Sequence, residues 1–116
     1  MVSHTFERGV LVVTVSSDPG IARRATLTHE ISDLIHAYRP MPVVVVLEEA
    51  ATGAPVVSAI LRAHRMCSRL GVLMSVATHS APARRLLEAD ADSVSPRLVV
   101  HARTDTAIDA TFVAAA

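Results

Sequence analysis

The hydrophobic residues of this chain alternate between strand-like runs and helix-like spacing, and the alternation predicts its elements. Residues 5–7 and 10–15 are rich in β-prone side chains on either side of Arg8-Gly9, which predicts a hairpin. Over 22–38 the apolar residues recur at helical spacing, with polar residues on the opposite face. This second pattern predicts an amphipathic helix that packs on a sheet.

The most apolar run, Val43 to Leu47, is followed by a turn and a second amphipathic helix. Five consecutive aliphatic residues favour a strand that is buried on both faces. The helix is expected to begin near Pro55, which suits a first turn, and to end at Gly71. Its apolar stripe contains the following residues: Val57, Ile60, Leu61, His64 and Cys67. In such a strand–turn–helix unit, the turn after the strand is the place where function is expected.

The next segment repeats the alternation with a strand and a short helix. Residues 72–77 form an apolar run, and Ser80 can cap a helix over about 82–89. We expect Leu86 and Leu87 to point inward from this helix.

The chain closes with a short strand and a helix. The strand is predicted over 98–101, and Thr104 or Asp105 is expected to cap the helix, in which Ile108 and Phe112 are spaced i and i+4. The order β-β-α-β-α-β-α-β-α predicts an α/β fold. We expect one domain over 1–116, with a mixed, mainly parallel sheet of four to five strands and four α-helices packed against it.

Composition narrows the classes of function. Arginine supplies all 11 basic side chains and balances 11 acidic ones, so no broad surface for nucleic acid is expected. No apolar stretch is long enough to cross a membrane, and no signal peptide is evident. The single cysteine, Cys67, excludes an internal disulfide and suits a reducing compartment. We therefore expect a cytoplasmic protein without a membrane partner.

The order of these elements, together with three segments, resembles the STAS domain. The segment from Ala59 to Gly71 is similar to the family's second helix, and Ala83-Arg-Arg-Leu-Leu-Glu88 to its third. Val15-Ser-Ser-Asp-Pro-Gly-Ile21 occupies the place of the family's Gly-Glu-Leu-Asp loop. The family includes bacterial anti-sigma factor antagonists, so the resemblance implies a non-catalytic module that binds an anti-sigma factor or a related regulatory protein.

The phosphorylation turn of the family is altered in this chain. Signalling members carry Asp-Ser/Thr-Ser/Thr-Gly before the second helix, and a partner kinase phosphorylates the first hydroxyl residue. That position falls on Ala54, which has no oxygen to accept a phosphate. The acidic residue of the earlier loop falls on Gly20. Thr52 and Ser58 are the weaker alternative acceptors, because Thr52 lacks the preceding Asp and Ser58 lies a turn inside the helix.

The resemblance implies a partner-binding surface made of the loop 16–21, the turn 52–58 and the second helix. Its expected residues are Ser17, Asp18, Gly20, Ile21, Thr52, Gly53, Ala54, Pro55, Val57, Ser58 and Arg62. Some relatives bind nucleotides or lipids, so a small-ligand sensor at the same turn is the alternative. We expect no cofactor and no catalytic group, and self-association into a homodimer stays open.

Three further groups of residues have ordinary explanations. His29, Asp33 and His36 share one helix face, but no second cluster completes a metal site, so a solvated face explains them better. His64 lies within an apolar stripe and is expected to be a buried histidine satisfied by a backbone partner. Arg62 and its basic neighbours form a stripe that suits either solvent or an acidic partner.

Overall fold

Five strands form one sheet in the order in which they occur along the chain. The computed structural model describes residues 2–91 and 98–115. The strands are β1 (Val2–Glu7), β2 (Val10–Val15), β3 (Val43–Leu47), β4 (Met74–Thr78) and β5 (Val99–His101). β1 and β2 pair antiparallel, and every later neighbour pairs parallel. The predicted α/β fold with a mixed, mainly parallel sheet is thus confirmed.

Four α-helices cover the two faces of the sheet unequally. They are α1 (Arg24–Tyr38), α2 (Ala54–Leu70), α3 (Ala81–Ala91) and α4 (Thr104–Ala115). The buried side chains of α1, α2 and α3 join one core with alternate residues of β2, β3 and β4. Ala107 and Ile108 of α4 pack with a smaller cluster on the opposite face. Since strand side chains alternate between faces, β3 is buried on both sides, as its sequence predicts.

The second helix follows its sequence pattern most closely. Every residue of the predicted apolar stripe is buried. Gly53 precedes the helix, Pro55 lies in the first turn, and Gly71 ends it with a φ of 71°, where glycine avoids the strain that a side chain would add. The Gly71 N–H donates to the Ser68 carbonyl, and the Val72 N–H donates to the Cys67 carbonyl at 2.9 Å. Both ends of α2 are therefore well defined, and the segment 48–53 connects its first turn to β3.

Several predicted boundaries were wrong. β4 begins at Met74, two residues later than predicted, and α1 begins at Arg24 after a 3-10 turn over Ile21–Arg23. Helix α4 begins at Thr104, so neither Thr104 nor Asp105 occupies the capping position. Asp105 instead accepts a hydrogen bond from the Thr106 N–H at 2.8 Å within the first turn.

The expectation for Leu86 was also wrong. Leu87 is fully buried, whereas Leu86 is 50% exposed. Adjacent residues on a helix point about 100° apart, and on α3 only Leu87 of the pair is turned toward the core. Ser80 does cap α3, because its Oγ accepts the Ala83 N–H at 3.2 Å. In the described part of the chain, no helix has both the length and the apolar character needed to cross a membrane.

Candidate functional site

The carboxyl ends of β2 and β3 bring two loops side by side. The loop 16–21 follows β2, and the segment 48–53 follows β3. Because these strands are parallel neighbours, both loops leave the same end of the sheet. The Asp18 N–H donates to the Ala50 carbonyl at 3.0 Å, and the Glu48 N–H donates to the Val15 carbonyl at 3.1 Å. The two loops are thus joined by their backbones.

The Asp18 side chain makes a second connection between the loops. A Cβ placed on Gly53 would collide with the Asp18 Oδ2 and would lie 3.3 Å from its Cγ. The other carboxylate oxygen, Oδ1, accepts the Gly20 N–H at 2.8 Å, which fixes the side chain across its own turn. Gly20 has a φ of 73°, a conformation that glycine adopts without strain.

The Asp18 carboxylate therefore lies at the start of α2. Gly53 is the N-cap residue of this helix, and its own position supplies no side-chain cap. Helix N-termini carry unpaired N–H groups and partial positive charge, so a nearby carboxylate stabilises them. The resemblance to the STAS domain implies that the acidic position of the loop falls on Gly20. In the structure an acidic side chain does lie at the turn, but it comes from Asp18.

Ala54 begins α2 with an exposed methyl group. The N–H groups of Val56 and Val57 both donate to the Gly53 carbonyl at 3.1 Å. Thr52, the nearest hydroxyl residue before Ala54, donates from Oγ1 to the Glu49 carbonyl at 3.1 Å. The exposed first position of α2 therefore carries no hydroxyl group, and the Thr52 hydroxyl bonds to its own turn.

The exposed side of α2 continues this surface away from the turn. Arg62, Arg65 and Arg69 are all exposed, and Arg62 lies about 12 Å along the helix from Ala54. A groove of about 320 Å³ separates α2 from α3 and is lined by Ala54, Val57, Ser58, Leu61, Arg62, Arg65 and Leu86.

A second groove, of about 410 Å³, lies between α2 and α1. It is lined by Thr28, Ser32, Arg62, Ala63, Arg65, Met66 and Arg69. The Ser32 hydroxyl lies 3.2 Å from the Met66 sulfur and connects the two helices. Arg62 and Arg65 border both grooves, so an occupant of either groove would meet their positive charge.

The residues predicted for the partner-binding surface differ in how far their side chains are exposed to solvent. Ile21 is 81% exposed, although it is a large aliphatic side chain beside a polar loop. Ser17 is exposed, whereas Pro55 and Ser58 are half-buried. Val57 is only 6% exposed, so its side chain belongs mainly to the core and forms the floor of the groove beside α3.

Comparison with protein-family models and with curated protein sequences finds no match to this chain. The geometry of its own residues therefore carries the argument about function.

The histidines and the carboxylate that share one face of α1 line neither of the two grooves. His29, Asp33 and His36 are exposed. Within residues 2–91 and 98–115, no group of three potential metal-ligating side chains is close enough to hold an ion.

Sequence reasoning missed a set of buried polar atoms at the opposite end of α2. His64 is only 4% exposed, and its Nδ1 has no hydrogen-bond partner among the described residues, contrary to the expected backbone bond. Burial lowers the pKa of His64, and the neighbouring Arg65 charge lowers it further. The Ser75 Oγ and the His101 Nε2 share this unpaired state in the described structure. Helical spacing places His64 unusually within an apolar stripe. Nothing in the sequence indicates that Ser75 on β4 and His101 on β5 also carry buried polar atoms without a partner.

Proposed function

We propose that this chain is a non-catalytic protein-interaction module of the STAS type that resembles anti-sigma factor antagonists. Its partner would be an anti-sigma factor kinase or a related regulator. The observation that carries the proposal is the contact between Asp18 and Gly53, which joins the loop 16–21 to the start of α2. We call the surface formed by the loop 16–21, the turn 52–54 and the exposed side of α2 as far as Arg62 the contact face.

The contact face offers both apolar and charged groups to a partner. Ile21, on the loop 16–21, is 81% exposed. Leu86, on α3, is 50% exposed and lines the groove that borders the contact face. Arg62 is exposed on α2 between the two grooves. A partner with an apolar side chain for the groove and a carboxylate for Arg62 would complement this arrangement.

Ala54 gives the proposed interaction its regulatory character. A phosphate added at the start of a helix beside a partner changes local charge and can release the complex. Ala54 has no hydroxyl group, and Asp18 already places a negative charge next to the turn. Binding would therefore be constitutive or controlled by the state of the partner.

Paired charge variants test the contact face. Ala54→Glu and Arg62→Glu should each weaken binding to a purified anti-sigma factor kinase by at least roughly tenfold, a typical effect of like charge in an interface. Ala37→Glu and Arg39→Glu are the matched controls, because both residues are exposed at the other end of α1. Equal binding by all four variants would refute the assigned face.

The alternative function is a small-ligand sensor at the same turn. Exposed N–H groups at a helix N-terminus favour anions in general. Here the Asp18 carboxylate lies against Gly53, so an anionic ligand such as a nucleotide phosphate would meet like charge.

A further inference from the structure

The outer edge of β1 is open along its whole length. Among the described strands β1 pairs on one side only, with β2. The register is continuous from Val2, which lies opposite Val15, to Glu7, which lies opposite Val10. The other edge of the sheet, β5, has only three residues. A long edge strand presents a row of backbone groups with which another strand can pair.

Two observations show which residues of β2 form hydrogen bonds with β1. Arg8 and Gly9 both have positive φ and form a two-residue turn, in which the flanking residues Glu7 and Val10 bond to each other. The Leu11 N–H donates instead to a carbonyl that precedes β3, at 2.9 Å. Val10 and every second residue after it in β2 therefore bond to β1, and the residues between them bond to β3.

The outward backbone groups of β1 belong to Val2, His4 and Phe6. Positions 3, 5 and 7 lie opposite the residues of β2 that bond to β1, so their N–H and C=O groups face inward. The N–H and C=O groups of the other three residues consequently point away from β2. The partners of these three residues in β2 belong to the core that α1, α2 and α3 share, so their side chains lie on that face of the sheet.

This edge lacks the usual protection against pairing with another strand. Proteins protect such edges with proline, lysine, a bulge, an inward charge or a covering element. Residues 2–6 contain no proline, glycine or fixed charge, and the pairing with β2 has no bulge. Residues 3–7 are exposed, so no part of the described chain covers them. The single acidic side chain, Glu7, lies at the end of the strand.

An aromatic cluster borders the same edge. The ring centroids of Phe6 and Tyr38 are 4.9 Å apart, and those of His4 and Phe6 are 5.7 Å apart, both in edge-to-face geometry. Phe6 is still 48% exposed. Pairs of an aromatic and a β-branched residue across two strands stabilise a sheet. A strand that placed a β-branched side chain opposite Phe6 would therefore add side-chain contacts to its backbone bonds.

A second copy of β1 supplies that side chain. In an antiparallel pair in which His4 of one copy lies opposite His4 of the other, Val2 lies opposite Phe6 and Ser3 lies opposite Thr5. Every outward N–H and C=O group of the strand then has a partner. A register shifted by two residues toward the turn would lose the pair of Val2 with Phe6. The strand is thus self-complementary in one register, as a two-fold symmetric interface requires.

We propose that this chain forms a homodimer through the outer edge of β1, with the two strands antiparallel and centred on His4. Residues 2–6 carry no fixed charge, so two copies approach without repulsion, whereas a charged peptide would find no opposite charge there. Five paired residues on each side form a small interface, below the roughly 1,200 Å² of a stable complex, so the dimer is reversible and depends on concentration. The pairing uses no residue of the contact face and does not depend on the proposed function.

Amide hydrogen exchange of the chain at two concentrations tests the register. Between about 0.05 and 1 mM, sedimentation equilibrium should show the mass rising toward twice that of the chain. Over the same range the amide protons of His4 and Phe6 should exchange roughly threefold more slowly or better, while those of Thr5 and Glu7 should be protected at both concentrations. A monomer throughout would overturn the proposal, and so would a dimer in which the exchange of His4 and Phe6 is unchanged.

Two variants of His4 separate the backbone from the side chain. His4→Pro removes an N–H that points outward, a place where edge strands tolerate proline, so the variant should fold and remain monomeric. His4→Thr keeps the N–H and should dimerise within about threefold of the natural affinity. Thermal unfolding checks both folds. Dimerisation of His4→Pro with the natural affinity would overturn the assigned edge.

A charge at the centre of the interface gives a test that does not depend on proline. His4→Glu places two carboxylates opposite each other and should weaken the dimer by at least roughly tenfold. His36→Glu is the matched control, because His36 is exposed on α1 and the same change there should leave dimerisation unaltered. Equal dimerisation of the two variants would overturn the proposal in favour of another interface.

Discussion

The carboxylate of Asp18 lies so close to the Cα of Gly53 that a methyl group at Gly53 would overlap its Oδ2. This contact joins two loops that are separated by α1 and β3 in the sequence. It also places a negative charge at the start of α2, where the helix favours one. The shape of the contact face therefore depends on a glycine that the backbone conformation alone does not require, since its φ of −77° suits any residue.

A double-mutant cycle tests this contact. Gly53→Ala should destabilise the protein by about 1 kcal/mol, because the new methyl group displaces the Asp18 carboxylate from the helix and from the Gly20 N–H. In an Asp18→Ala background the same change should cost less, because the overlap is gone and the restriction that alanine places on the unfolded chain offsets its poorer fit at the N-cap position. Urea unfolding measures both effects.

The coupling between the two positions is the decisive quantity of that cycle. Residues that touch show non-additive effects of roughly 0.5 to 3 kcal/mol, whereas independent sites add. An equal effect of Gly53→Ala in both backgrounds would show that Asp18 does not occupy the space beside Gly53.

The sequence pattern was sufficient to predict most elements, because local periodicity carries that information. The run Val43–Leu47 and the helix between Gly53 and Gly71 appear where their residues indicate. Leu86 was misplaced because adjacent leucines look equally apolar in a sequence, although only Leu87 reaches the core. Local pattern cannot show such a choice, which depends on how the helix is rotated against the sheet.

The long-range contacts at both ends of α2 were beyond sequence reasoning. Asp18 meets Gly53 only because β2 and β3 are parallel neighbours. His64 shares a pocket with His101 because β5 pairs with β4 at the edge of the sheet. Strand order, which brings distant residues together, is not encoded in the spacing of apolar positions along a single element.

Gly71 provides a test of the end of α2. Its φ of 71° lies in the left-handed region, and no atom lies within 4 Å of the Cβ position, so a substitution adds conformational strain but no clash. Gly71→Ala should destabilise the protein by about 1 to 2 kcal/mol, while Gly71→Asn should cost less because asparagine tolerates this conformation. Thermal and urea unfolding measure the difference. Equal stability of the two variants would contradict the assigned helix end.

His64 should make stability depend on pH. Burial and the Arg65 charge lower the pKa of His64 in the folded chain. Below about pH 6.5 this histidine is therefore protonated more readily in the unfolded chain than in the folded one. The stability associated with neutral His64 is present above that pH and is lost as the pH falls through it toward the lowered folded pKa.

A histidine replacement isolates this contribution. Between about pH 7.5 and about pH 5.5, His64→Leu should lose less stability than the natural chain, because it lacks the group whose pKa is lowered by folding. His29→Leu is the control, because His29 is exposed on α1. The same pH dependence in the natural chain and His64→Leu would show that His64 titrates normally in the fold.

Cys67 should resist alkylation in the folded protein. The side chain is fully buried, and burial raises the pKa of its thiol to about 11. At about pH 8.5 its thiolate population falls by on the order of a hundredfold relative to an unfolded cysteine, and access is blocked as well. Iodoacetamide labelling followed by intact mass should be slow in buffer and fast in urea. Cys67 is the single cysteine, so Cys67→Ser gives the blank, and rapid labelling in buffer would contradict the buried placement.

The most direct test of the proposed function combines binding and mass on one sample. The chain is incubated with a purified anti-sigma factor kinase and ATP, the complex is quantified, and the intact mass of the chain is recorded. Because Ala54 stands at the exposed start of α2 beside the Asp18 carboxylate, we predict a stable complex and an unchanged mass with or without ATP. Absence of a complex, or one phosphate per chain on Thr52 or Ser58 with release of the kinase, would contradict a contact face that lacks a phosphorylation switch.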